Sequence, residues 1–206
     1  QHYAFVVNAF VSLLKRADMT RYELFLRETR TYEIIEDVKN FRSEIGVLFL
    51  NGYNRDVLTK MFDDNRLTYT SLFKARPHIF VSKSNPLAKH KVVSLEDLED
   101  FPYLSYDQGI HNSFYYSEEI LSQIPHKKSI VVSDRATLFN LLIGLDGYTI
   151  ATGILNSNLN GDNIVSIPLD IDDEIDIVYL KHEKATLSKM GEKFLDNLVK
   201  EVTFDN

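Results

Sequence analysis

Apolar residues return at helical spacing through the opening stretch Tyr3–Arg16, where Phe5, Ala9 and Leu13 fall on one line with Phe10 and Leu14 beside it, so a largely buried helix is predicted there. Tyr22–Arg27 alternates and predicts a strand. Arg30–Phe41 puts Ile34, Ile35 and Val38 on one helical face, and Ile45–Leu50 is a short apolar run of the kind found in buried parallel strands. Asn51-Gly52 closes that run. A helix over Arg55–Asp63, with Val57, Leu58 and Met61 inward, and a strand over Leu67–Phe73 come next. Helix and strand in alternation is the pattern of an α/β sheet.

Pro77 breaks this register, because it removes a donor and biases Arg76 away from helix, and His78–Val81 opens a new apolar strand. Ser94-Leu95-Glu96-Asp97 has the spacing of a capping box, which predicts a short helix that stops before Pro102. Strands are expected at Tyr103–Tyr106, Ser129–Val132, Tyr148–Ala151, Ile164–Ile167 and Ile175–Leu180. Helices are expected at Tyr115–Ile124, at Asp134–Leu145 behind a Ser133 or Asp134 cap, and over a tail where Leu187, Met190, Phe194, Leu195 and Leu198 share a face. Two successive α/β sets imply two lobes with a cleft between them: residues 1–75 with 182–206, and residues 76–181.

Composition narrows the function. The 206 residues carry 23 Lys+Arg against 30 Asp+Glu, a net charge of −7, the wrong sign for attracting a duplex. No cysteine is present, which removes thiolate zinc sites and sulfur nucleophiles. No apolar run approaches the roughly 20 residues needed to span a bilayer. The reading is of an intracellular protein, cytoplasmic, with no membrane part.

Catalytic and metal signatures are missing. The six histidines are scattered without HxxxH or HxH spacing, so no metal and no cofactor is expected. There is no GxSxG elbow, P-loop or GxGxxG, and Gly144-Leu145-Asp146-Gly147 follows a helix, where glycine serves as a C-cap. The run Asp170–Asp176 lacks the glycine and terminal glutamate of a calcium loop and reads as a solvated turn. Phe114-Tyr115-Tyr116 reads as packing.

Four polar places remain at strand ends and helix starts, where α/β folds bind ligands. They are Gln1-His2, Glu28-Thr29-Arg30-Thr31, Asn51-Gly52 and Ser105-Tyr106-Asp107-Gln108-Gly109. Thr29, Arg30, Ser105 and Gln108 offer hydroxyl, guanidinium and amide groups, a set that suits a small polar anion such as a carboxylate metabolite.

The stretch Pro77–Ala88 (PHIFVSKSNPLA), followed by Val93–Leu98 (VSLEDL) and Phe101–Leu104 (FPYL), resembles the effector-binding domain of LysR-type transcriptional regulators. Ser133–Gly153, Leu187-Ser188 and Phe194-Leu195 extend the likeness over essentially the whole chain, with Asp146-Gly147-Tyr148 standing where the family has a small GxG turn. The resemblance implies an α/β fold of two Rossmann-like lobes with a hinge, periplasmic-binding-protein-like (type II). It implies a small-molecule inducer between the lobes, DNA contact only through a winged helix-turn-helix that lies upstream and is absent from this sequence, and a homodimer or homotetramer. Mapped by motif, inducer contacts fall on Gln1, His2, Thr29, Arg30, Ser105, Tyr106, Asp107 and Gln108, with Asn51 added by position alone.

The sequence therefore reads as a ligand-sensing regulatory domain without catalytic residues. The alternatives are a solute-binding component of a transport system, which has the same two-lobed architecture, and a small α/β enzyme, for which no nucleophile and base can be named.

Overall fold

Ala4–Arg16 (α1), Thr31–Lys39 (α2), Arg55–Asp64 (α3), Arg135–Leu145 (α4) and Lys189–Thr203 (α5) are the helices of the computed structural model, which describes residues 1–16, 20–155 and 161–203. The strands are Gly46–Leu50 (β1), Leu67–Ala75 (β2), His78–Ser82 (β3), Tyr103–Tyr106 (β4), Ser129–Val132 (β5), Tyr148–Ala151 (β6), Ile164–Pro168 (β7) and Ile175–His182 (β8). They form two sheets, β1-β8-β2 and β5-β4-β6-β3-β7.

In the first sheet β8 runs antiparallel to both neighbours, with Leu48 opposite Val178 and Leu67 opposite His182. The continuous apolar run of β1 thus reflects burial on both faces and not parallel pairing. Leu48, Leu50, Val178 and Leu180 pack with Ile34, Ile35 and Val38 of α2 and Leu58 and Phe62 of α3, while Phe49 and Ile177 pack on the other face with Phe5 and Ala9 of α1 and Leu198 of α5. A Cβ on Gly46 would fall 2.6 Å from Ile34 Cγ2, so glycine is what lets α2 rest against the strand. In α3 the inward residues are Leu58 and Phe62, and the expected Val57 is 38% exposed. The 182–206 boundary also moves: β8 already belongs to the first sheet, so the return crossing precedes Ile175. Residues 204–206 of that boundary lie outside the described residues.

In the second sheet β3 is flanked antiparallel by β6 and β7, and β4 lies parallel to β5 and β6. One face packs α4 through Leu138 and Leu142 against Phe80, Leu104 and Val132. Asp134 caps α4 by accepting the Thr137 N–H at 2.8 Å, and the left-handed residue that ends it is Asp146 (φ 51°) instead of a glycine. The Ser94–Asp97 box closes reciprocally at 2.8 and 3.3 Å, though only a 3-10 turn follows it.

Two expected elements differ. Tyr22–Arg27 takes no regular secondary structure and joins no ladder among the described residues, with Phe25 79% exposed. Alternation specifies an extended chain, yet a strand also needs an edge to pair with, and a groove of about 330 Å³ separates Leu24 and Leu26 from Ile45–Val47. Tyr115–Ile124 is no helix: Phe114–Tyr116 makes one 3-10 turn, and Leu121 takes φ 59°.

Arg66, between α3 and β2, also sits at positive φ (58°), the position after a helix end where glycine carries no steric penalty. Arg66→Gly is expected to stabilise the fold by about 1 kcal/mol, read from the urea midpoint. An unchanged or lower midpoint would count against left-handed strain at this turn.

Candidate functional site

The chain ahead of α1 lies between the two sheets and is tied to both. The Gln1 side-chain amide donates to Thr31 Oγ1 (2.8 Å) and accepts from the Phe49 N–H (3.2 Å) and the Tyr3 hydroxyl (2.5 Å), while its backbone nitrogen lies beside the Thr29 carbonyl. His2 reaches the second lobe. Its backbone N–H donates to Glu118 Oε2 at 2.8 Å, its Nδ1 lies 2.9 Å from the same oxygen, and its ring stacks on Tyr106 at 4.1 Å.

Gln108, just past β4, joins the same network. Its Oε1 accepts the Thr31 N–H (3.1 Å), so it caps α2 from across the cleft where Arg30 makes no side-chain cap, and its Nε2 donates to Glu118 Oε1 (3.1 Å). Around the rim, Arg30 pairs with Asp107 at 2.5 Å and Glu33 at 3.2 Å, and Arg135 pairs with Glu28 at 3.1 Å. Tyr32 stacks on His111 (3.5 Å) and Tyr53 on Tyr115 (4.8 Å).

Beside this network, and bordered by His2, Tyr106 and Glu118 from it, is a cavity of about 50 Å³ with mainly apolar walls, among them Phe5, Phe49, Phe80, Leu138 and Phe139. Its polar lining includes His2, Tyr106, Glu118, Glu119, Arg135 and Thr149. Burial works against the charge on Glu118, while His2 and the bond from Gln108 favour it. Glu119 has no such support: burial and then the Glu118 charge raise it well above an ordinary carboxylate, and its only hydrogen bond to the described residues beyond its own segment is the Tyr106 N–H at 3.0 Å. Burial likewise raises the Tyr3 and Tyr106 phenols, which stay neutral.

Of the nine residues named from sequence, Gln1, His2, Tyr106 and Gln108 meet at this centre, and His2 and Tyr106 line the cavity. Thr29, Arg30 and Asp107 stand at the rim. Arg30, which was to meet an anion, is instead engaged by two carboxylates, and the Thr29 hydroxyl bonds Glu33. Ser105 does not line this cavity; it lines a neighbouring hollow of about 350 Å³ with Tyr103, His126 and Ser129, which Tyr106, Gln108 and Glu119 also border. Asn51 is spent on its own turn, accepting from the Tyr53 and Asn54 N–H groups and donating to Asp173 at 3.0 Å. Asp176 of the acidic run is buried, paired with Arg55 at 3.0 Å and Ser71 at 2.5 Å.

Sequence reasoning missed Glu118, Glu119, Arg135 and the aromatic walls. Among the described residues no group of three or more acidic or histidine side chains is placed to hold a metal, and no helix is long and apolar enough to cross a membrane.

Two sheets joined around a closed polar centre define a two-lobed ligand-binding domain, and comparison with known proteins gives the same class. The model of the LysR substrate binding domain matches residues 14–203, and the chain belongs to that family. Its fold is the periplasmic-binding-protein-like type II fold. The effector-binding domain of BenM with its effector benzoate is 18% identical, TM-score 0.62, over 98% of this chain and 87% of that one. The effector-binding domain of QuiR in complex with shikimate is 17% identical, TM-score 0.60, over 95% and 88%. HinK, a LysR family transcriptional regulator from Pseudomonas aeruginosa, is 15% identical, TM-score 0.60, over 98% of this chain and 66% of its own length. No curated protein sequence matches the chain.

Proposed function

We propose that this domain is the sensor of a LysR-type transcriptional regulator and that its effector is a small molecule held in the interlobe cavity. The observation that carries the reading is the network through Gln1, His2, Thr31, Gln108 and Glu118, which crosses from one lobe to the other and shares His2 and Glu118 with the wall of that cavity. A ligand there has different contacts in open and closed arrangements, so it shifts the population between them. The domain itself performs no catalysis. The shift would be passed, within a cytoplasmic homodimer or homotetramer, to a winged helix-turn-helix that contacts DNA. The family match supports a regulator over a transport component with the same architecture.

A thermal-shift screen of small metabolites tests the site. A compound at about 100 times its dissociation constant adds about 2.7 kcal/mol of stability. Ala151→Leu, which extends a cavity-lining side chain into the space, should remove that gain. A stabiliser that keeps its full effect in Ala151→Leu binds elsewhere, and the assignment fails.

A further inference from the structure

The two buried carboxyls of the cavity wall differ in what they have left to offer. Glu118 accepts three hydrogen bonds, from the His2 N–H, His2 Nδ1 and Gln108 Nε2. Glu119 is 4% exposed and lines the cavity; its Oε1 accepts the Tyr106 N–H, and its Oε2 takes no hydrogen bond from a side chain among the described residues. The guanidinium in the wall, that of Arg135, is already paired with Glu28. An anion entering here meets the Glu118 charge and a second carboxyl, whereas a cation relieves the repulsion between them.

We infer that the cavity takes a small amine, an apolar body carrying an ammonium head that pairs with Glu119. This rests on the cavity being the effector site. A volume of about 50 Å³ has room for about four non-hydrogen atoms in the arrangement described. Burial and the Glu118 charge favour the protonated form of Glu119, so binding is an exchange: the ammonium keeps its three hydrogens, the Glu119 O–H bond breaks, and one proton leaves for solvent. The other charged or titratable groups facing Glu119 are Glu118 on its own segment, His2 and Tyr3 ahead of α1, Tyr106 of β4, and Arg135 of α4 with its partner Glu28.

Calorimetry on the whole chain with n-propylamine, 1-propanol and propionate, at pH 7 in two buffers of different ionisation heat, tests the inference. Propylamine should bind about tenfold or more tighter than propanol, propionate should bind most weakly, and propylamine should release about one proton per ligand. Glu119→Gln, checked for an intact melting transition, should bring the amine-to-alcohol ratio to about one and abolish the proton release. No binding by any probe, propionate as the tightest ligand, or no proton release by the wild-type chain overturns the amine assignment. If propionate or propanol binds best and Ala151→Leu blocks it, the effector site stands and only the amine class falls. If Ala151→Leu leaves every probe's binding intact, the site itself is wrong.

Discussion

Glu118→Ala should destabilise the domain by about 3–5 kcal/mol, a large fraction of what holds a domain of this size folded. The carboxylate is buried with His2, their side chains 3% and 7% exposed, and it satisfies donors from His2 and Gln108. Removing it strands those donors away from water, and the loss should spread to the α2 cap because Gln108 spans both. Glu118→Gln keeps the shape and one acceptor oxygen, so it should cost clearly less. Urea melts at pH 7 measure both costs. A Glu118→Ala cost under about 1 kcal/mol would mean that the network is wet.

Glu119 should make the stability depend on pH. Its folded carboxyl is raised by burial and by Glu118, so its contribution is complete below the unfolded value of about 4.3 and is lost as pH rises toward the raised one. The loss has a limiting slope of about 1.4 kcal/mol per pH unit for one proton. Glu119→Gln carries no such proton, and its stability relative to the wild type should climb as pH rises above about 4.3. Parallel wild-type and Glu119→Gln curves would show that Glu119 is ionised in the folded chain.

The absence of Glu118 and Glu119 from the sequence candidates has a physical cause. Tyr116, Ile120, Leu121 and Ile124 recur at three and four residues, which is the helical signal, and it assigns Glu118 and Glu119 to a solvated face. The chain instead bends at a left-handed Leu121 and turns both carboxyls inward, a consequence of packing between lobes that no local pattern encodes. His2, Tyr106 and Gln108 were legible because a helix start and a strand end are local features. Ser105 was carried along by adjacency, yet neighbours on a strand point to opposite faces, so Tyr106 enters the cleft and Ser105 does not. Helices α1, α2 and α4 were legible from spacing and caps. The Tyr22–Arg27 strand was not confirmed because alternation says nothing about the availability of an edge.

The order β1-β8-β2 also dictates a sequence of events during synthesis. β1 and β2 do not pair with each other; each finds its partner only in β8, whose first residue is Ile175. A nascent chain ending before Ile175 already contains every strand of the second sheet, from His78 to Pro168, but cannot form one ladder of the first. The lobe that begins earlier in the chain is thus completed later, at the entropic cost of closing loops of more than about a hundred residues. Its apolar strands must wait, exposed, until about the last sixth of these 206 residues arrives, and the cleft acquires its second wall only then.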